Sequence, residues 1–293
     1  MPEVRPPPLD PMLLRRVVEM ALEEDAARRD ITTQALVPPE QRGIATITVK
    51  GQGVLAGLPV AATVFAALDQ SLRLEALLPE GASVGPATPV ARIEGALAPV
   101  LSGERVALNF LQRLSGVATA TRQLVEATAG AGFTGRVRIV DTRKTTPGLR
   151  TLERYAVRVG GGRNHRFNLA DGVLIKDNHI AVIRARGDTI AQAIQQMRLA
   201  APHVMRVEIE VTTVDQAIEA LTAGADVLLL DNMPVDEMRR AVEAARGRAL
   251  TEASGGVTLE NVRAIAETGV DVISVGGITH SAPALDMSLT VEG

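Results

Sequence analysis

The apolar positions follow two different grammars, and the change comes near Val137. Before it, helical and alternating spacings are mixed. Leu13, Leu14, Val17, Val18 and Leu22 recur at helical intervals and predict a helix over residues 9–29, followed by a turn at Asp30-Ile-Thr-Thr33. Residues 43–50 alternate between apolar and polar, which predicts a strand. A helix is expected over Leu58–Leu68 after the Gly57 break, and strands over 72–78 and 89–93. A long helical stretch over 102–129 carries Val106, Leu108, Leu111, Leu114 and Val117. Gly116 is expected to break it and Gly130-Ala-Gly132 to end it.

From Val137 onward, strand, loop and helix alternate. Strand-like runs at 137–140, 173–175, 204–211, 227–230, 249–252 and 270–275 are separated by helical stretches at 149–159, 189–200, 214–223, 235–245 and 259–267. Such alternation implies a parallel sheet, which right-handed crossovers curl toward a barrel. Six runs fall short of the usual eight, so an incomplete or distorted β/α barrel is expected. The tail, 284–291, reads as a strand that would return to the N-terminal sheet.

Composition narrows the chemistry. Zero cysteines in 293 residues exclude disulfides, thiolate zinc sites and a cysteine nucleophile. A net charge of -3, four Phe, one Tyr and no Trp give neither a basic field nor stacking platforms for nucleic acid. No apolar run approaches membrane-span length, and the start, Met1-Pro-Glu-Val-Arg-Pro-Pro-Pro8, has no apolar signal core. A cytoplasmic protein without a nucleic-acid or membrane partner is expected, with any affinity for anions confined to a local site.

Barrel active sites form where strands end. The runs here end in Asp141-Thr-Arg-Lys144, Lys176-Asp-Asn178, Glu208 with Glu210, Asp231-Asn232, Glu252-Ala-Ser-Gly-Gly256 and Gly276-Gly277. A second charged knot, Gly160-Gly-Gly-Arg-Asn-His-Arg166, lies between the first two. Arg143, Lys144, His165, Arg166 and Lys176 suit a small anion bearing carboxylates or phosphates, because Arg forks match planar oxyanions and Lys supplies a point charge. A solvated charged loop is the bland alternative, but cations recurring at strand ends favour a site. Ser254-Gly-Gly256 and Gly276-Gly277 follow the last two runs, where barrels hold phosphate on main-chain N–H groups. No Walker A or GxGxxG motif is present.

Glu208 and Glu210 share one face of a strand. Glu210 lies nearer the mouth and, with Asp231, suits Mg²⁺ or hydroxyl groups. Glu208 is expected in a structural ion pair with a barrel Lys or Arg. Spacing leaves Arg105 and Arg113 on the long helix without a role, and the four histidines have no zinc spacing. Residues 78–95 resemble the β-turns of biotinyl and lipoyl carriers, yet Lys50, alone before Lys144, lacks a carrier's flanks.

These motifs carry a wider resemblance. Asp141-Thr-Arg-Lys-Thr-Thr-Pro-Gly-Leu-Arg150, Gly161-Gly-Arg-Asn-His-Arg166 and Asp171-Gly-Val-Leu-Ile-Lys-Asp-Asn-His179 resemble the signature of the quinolinate phosphoribosyltransferases, decarboxylating enzymes of NAD biosynthesis. Ser102-Gly-Glu-Arg-Val-Ala-Leu-Asn109, Ser115-Gly-Val-Ala-Thr119, Leu230-Asp-Asn232, Ala253-Ser-Gly-Gly256 and Ser274-Val-Gly-Gly-Ile-Thr-His280 fit as well. One departure is Arg29, where the family usually has Gly before the Asp.

The resemblance implies an α/β fold, with an N-terminal α/β sandwich domain over 1–115, joined by the tail 282–293, and a distorted, incomplete β/α barrel over 116–281. It implies a homodimer, open to higher assembly, in which Arg105 reaches quinolinate across the interface. Arg143, His165, Arg166 and Lys176 would hold the two ring carboxylates, Lys144 would sit by pyrophosphate and ribose, and Lys176 would also bind phosphoribosyl pyrophosphate. Glu210 and Asp231 would meet ribose hydroxyls and Mg²⁺, while Ser254, Gly255, Gly256, Gly276, Gly277 and His280 would cradle phosphate. Lys144, Glu210 and Asp231 would carry the catalysis. The runner-up is a related phosphoribosyltransferase acting on another aromatic acid. More distant are a Schiff-base aldolase using Lys144 or Lys176 and a non-enzymatic carrier.

Overall fold

Residues 8–131 and 137–292 are described by the structure, a computed structural model; residues 1–7 of the proline-rich start and Gly132 lie outside them. In chain order the elements begin α1 (Pro11–Glu24), α2 (Ile31–Leu36), β1 (Arg42–Val49), β2 (Gly53–Val54), α3 (Leu58–Leu68), β3 (Arg73–Ala76), β4 (Ser83–Val84), β5 (Thr88–Ala96) and α4 (Leu97–Ala127). There follow β6 (Arg138–Val140), α5 (Arg150–Val159), β7 (Val173–Ile175), α6 (Asp177–Ala185), α7 (Ile190–Ala200), β8 (Val207–Val211), α8 (Val214–Thr222) and β9 (Val227–Asp231). The series closes with α9 (Val235–Ala245), β10 (Leu250–Ser254), α10 (Val262–Ala266), β11 (Val272–Ser274), α11 (Gly277–His280) and β12 (Met287–Val291). Two compact units result. One combines Met1–Arg122, Thr145–Gly161 and Ile278–Gly293; the other combines Gln123–Lys144 and Gly162–Gly277. No helix among the described residues is long and apolar enough to cross a membrane.

The first unit is built on an antiparallel sheet in the order β12-β1-β5-β3. Along β1, Ala45, Ile47 and Val49 are buried at every second position, as a half-buried strand requires. The tail strand pairs antiparallel with β1, Met287 opposite Val49. Asp10 caps α1 by accepting from the Met12 N–H at 2.9 Å, and Leu14, Val18 and Leu22 form its buried stripe.

Three details here differ from the sequence reading. The first helix stops at Glu24, because Ala26 adopts a left-handed φ of 52° before a single 3₁₀ turn at Ala27–Arg29. Asp30-Ile-Thr-Thr33 is not a turn. Asp30 caps α2, accepting from the Thr33 N–H at 3.1 Å and from the Thr33 hydroxyl at 2.5 Å. Nor does Gly116 break α4, which runs unbroken for 31 residues. A Cβ at Gly116 would overlap the carbonyl of Pro283, so close passage of the tail explains this glycine. Arg113, idle by spacing, donates to the fully buried Glu153 at 2.8 Å and to the carbonyls of Ala282 and Thr279.

The second unit is a six-stranded sheet ordered β6-β11-β10-β9-β8-β7, and its β-pairings are parallel. Leu228, Leu229 and Leu230 are all buried, the continuous apolar run of a strand covered on both faces. Sequence-adjacent β6 and β7 are the two ends of this order and do not pair among the described residues, so the barrel is open at one seam. A short patch covers the β6 side of that seam: Arg163 donates its N–H to Ile139 at 2.9 Å and accepts from the Asp141 N–H at 3.2 Å. Besides α2, the helices α6 and α11 escaped the sequence reading. α11 has only four residues. α6 directly follows β7; it is only nine residues long and buries just Ile180, too little for a periodic signal.

Candidate active site

The site begins where β6 ends. Asp141 is fully buried, and a carboxylate removed from water must be hydrogen-bonded. It accepts from the Asn164 amide at 2.5 Å and the His165 N–H at 2.9 Å, which ties the second charged knot to the end of the strand. Arg143 and Lys144 leave this point, Arg143 half-buried and Lys144 exposed, with the Lys144 N–H donating to the Thr142 hydroxyl at 3.0 Å. Arg166 donates to the Gly172 carbonyl at 3.0 Å. Its guanidinium is held below the ordinary Arg range, by burial first and then by the neighbouring charge of Arg143. Two guanidinium groups close enough to repel, with the Glu208 charge only pulling the other way on Arg166, make a basic corner that suits an anion.

His165 points its Nε2 at two acids from different strands, Glu252 Oε2 at 3.4 Å and Glu208 Oε2 at 3.5 Å. The hydrogen-bonding partner of Glu208 is therefore a histidine, and the expected Arg is present as the neighbouring charge of Arg166. Both glutamates are buried, and the Oε1 atom of each has no hydrogen-bond partner among the described residues. The other ring nitrogen, Nδ1, accepts the Arg166 N–H at 2.7 Å. Burial opposes a charge on the His165 ring and the Arg166 N–H occupies the Nδ1 lone pair, while hydrogen bonds and charges from Glu208 and Glu252 favour a proton on the side that faces them. The Glu208 carboxyl is held above the ordinary carboxylate range, by burial first, with the Glu252 charge adding to it.

Across the sheet lies an acidic corner. Glu210, half-buried on β8, is held above the carboxylate range by burial first, then by Asp231 and Asp177; Lys176 opposes the shift. It also accepts a hydrogen bond from the main chain of Asp177, the first residue of α6. Asp231 accepts from the Asn232 amide at 2.8 Å, and Asn232 is held at a left-handed φ of 50° with its N–H on the Ser254 carbonyl at 2.9 Å. Gly255 follows with φ 90° and Gly256 with φ 58°, and a Cβ on Gly255 would overlap the Asn232 side chain. A carboxyl raised by the charges of two neighbouring acids fits a divalent cation, which would remove the repulsion.

Most sequence-predicted residues thus meet in one unit, at the ends of its strands: Arg143, Lys144, His165, Arg166, Lys176, Glu210, Asp231, Ser254, Gly255, Gly256, Gly276 and Gly277. Arg105 and His280 belong to the other unit. There Arg105 is exposed on α4, 3.9 Å from Glu104, and His280 Nδ1 lies 2.6 Å from the Ser281 hydroxyl. Sequence reasoning assigned no site role to Asp141, Asp177, Asn232 or Glu252. Asp141 carried a signal, an acid directly after an apolar run. Glu252 carried only its place at a strand end, because its histidine lies far away in sequence.

Comparison with known proteins gives one answer along nearly the whole chain. Residues 30–115 match the family description "Quinolinate phosphoribosyl transferase, N-terminal domain", and residues 117–290 match its C-terminal domain. The chain is 42% identical over 278 residues to the probable nicotinate-nucleotide pyrophosphorylase [carboxylating] of Bacillus subtilis, covering 95% of this chain and 93% of that one. It is 40% identical over 284 residues to the corresponding Homo sapiens protein, covering 96% and 92%. Its fold resembles the solved nicotinate-nucleotide pyrophosphorylase of Francisella tularensis with a TM-score of 0.89 and 36% identity, covering 98% of this chain and 99% of that one.

Proposed function

Because the chain belongs to the quinolinate phosphoribosyltransferase family, we infer that it transfers the phosphoribosyl group of phosphoribosyl pyrophosphate to quinolinate, forming nicotinate mononucleotide, pyrophosphate and CO₂ for NAD biosynthesis. The observation that carries the residue-level reading is the adjacent Arg143 and Arg166, which suit an anion, set in the same barrel as the Glu210, Asp231 and Asp177 corner. A substrate with two ring carboxylates suits the first group. A sugar phosphate bound with a cation suits the second.

In this reading Arg143, His165, Arg166 and Lys176 line the pocket for the quinolinate carboxylates. Lys144 faces the pyrophosphate and ribose. Glu210 and Asp231 receive the ribose hydroxyls and hold Mg²⁺, which supplies charge neutralisation at the pyrophosphate when bound. Ser254, Gly255, Gly256, Gly276, Gly277 and His280 receive phosphate oxygens on N–H and side-chain donors. The ring nitrogen forms its bond to ribose C1 as the C1–O bond to pyrophosphate breaks, and the carboxylates of Glu210 and Asp231 stabilise the cationic sugar between them. The nitrogen then carries a positive charge. That charge stabilises the electron pair left on the adjacent ring carbon when its carboxylate departs as CO₂, and a proton then takes the vacated place on that carbon.

Arg105, exposed on its helix, is assigned to the partner's quinolinate in a homodimer, and the water-soluble substrates suit a cytoplasmic setting. The deciding experiment supplies quinolinate, phosphoribosyl pyrophosphate and Mg²⁺ and follows nicotinate mononucleotide and CO₂ together. Equal appearance of both supports the reading. Turnover of nicotinate with no CO₂ would replace it with a related transferase.

A further inference from the structure

The least expected feature of the barrel is a pair of buried carboxylates aimed at one imidazole. Isolated buried carboxylates are costly, and Glu208 and Glu252 each leave one oxygen without a partner among the described residues. A sequence does not place two such groups beside His165 for stability alone, since apolar side chains of similar size would serve as well or better.

A divalent metal would be the simplest occupant, because the three ligand atoms lie within 4.8 Å of one another. The second ring nitrogen argues against it. A metal on Nε2 needs that atom's lone pair, which moves the ring proton to Nδ1. Nδ1 already accepts the Arg166 N–H at 2.7 Å, and two N–H groups cannot face each other there. The hydrogen-bond network instead puts the proton on Nε2, pointing between the two glutamates.

We propose that Glu208 and Glu252 are positioning residues: they hold His165 as its Nε2–H tautomer, and His165 in turn fixes the Arg166 main chain through Nδ1. This extends the reading above, in which Arg166 binds a quinolinate carboxylate. Asp141 holds the His165 N–H at 2.9 Å, so the residue is tied down by its main chain and by both ring nitrogens. Arg166 then leaves the knot in one direction, its guanidinium steadied by the Gly172 carbonyl at 3.0 Å. The specificity this creates is for a planar acid whose carboxylate meets a guanidinium already aligned.

The test is Glu252→Gln and Glu208→Gln in the full-length protein, with ¹⁵N-labelled histidine. The wild-type His165 should show a protonated Nε2 and an unprotonated Nδ1 by nitrogen shift, read without turnover. Each variant should disturb that signature and raise the quinolinate KM on the order of tenfold, with the phosphoribosyl pyrophosphate KM changing less than about twofold. In an Arg166→Ala background the Glu252→Gln effect on quinolinate KM should vanish. Unchanged nitrogen shifts and KM in both variants would overturn the inference, as would a Glu252→Gln effect of equal size with and without Arg166. If Glu208→Gln fails to fold, Glu252→Gln and its double-mutant cycle decide alone. A wild-type protein that makes no nicotinate mononucleotide would reject the proposed function, while the tautomer would still be scored separately.

Discussion

The side-chain amide of Asn232 occupies the space where a Cβ of Gly255 would stand, so the end of β9 and the glycine turn after β10 are fitted to each other. The same amide donates to Asp231 at 2.8 Å. One contact thus sets both the acid assigned to the ribose and the turn assigned to the phosphate.

Gly255→Ala should therefore damage phosphoribosyl pyrophosphate binding specifically. The added methyl meets Asn232, and φ 90° strains any residue with a Cβ. Overpacking and strain together cost roughly 1–3 kcal/mol, so the KM for that substrate should rise by about tenfold or more, with the quinolinate KM nearly unchanged. Initial-rate kinetics with each substrate varied in turn would check this.

Arg143→Ala and Arg166→Ala should each raise the quinolinate KM by about 10- to 100-fold, the worth of a charge-assisted hydrogen bond. Arg166→Lys should recover only part of the loss, because an ammonium lacks the fork. Quinolinate titration of the three variants would reveal a misassigned site if their KM values matched the wild type.

Glu153→Ala should destabilise the protein by about 3–5 kcal/mol, since Arg113 would lose its carboxylate partner inside the fold. Thr146 would lose its acceptor too, at 3.0 Å from its N–H and 2.7 Å from its hydroxyl. Urea denaturation would show the loss as a lower midpoint. An unshifted midpoint would mean that the pair is energetically idle.

Chelation should stop turnover and added Mg²⁺ should restore it. Asp231→Asn should raise the Mg²⁺ concentration needed for half-maximal rate, because one carboxylate fewer faces the cation. Activity that persists through exhaustive EDTA treatment would transfer the whole role to the protein's own groups.

How far these features could be read beforehand depended on their range in sequence. The strand–helix alternation and the polar strand ends are local, and they place Arg143, Lys176, Glu210 and Asp231 at one mouth. Arg105 gained a role only through family resemblance, since an exposed helical arginine looks like any other. Contacts between distant segments were invisible. Gly116 looked like a helix break because the Pro283 carbonyl that requires it is supplied by the tail. Glu208 looked like half of an ordinary ion pair because His165 and Glu252 reach it from other elements. Asp30 resembled turn chemistry because the same side chain that starts a turn also caps a helix.

The Arg163 bridge on the free edge of β6 has one more consequence, for solubility. An uncapped strand edge is a template for pairing with another chain. Here the knot that carries His165 and Arg166 supplies the cap, so the segment assigned to the substrate also shields an edge prone to association. Changes that loosen the knot to admit other acids would uncover that edge. Broadened specificity and a tendency to aggregate would then arrive together, and attempts to retarget the site would have to restore the Arg163 pairing before judging any new activity.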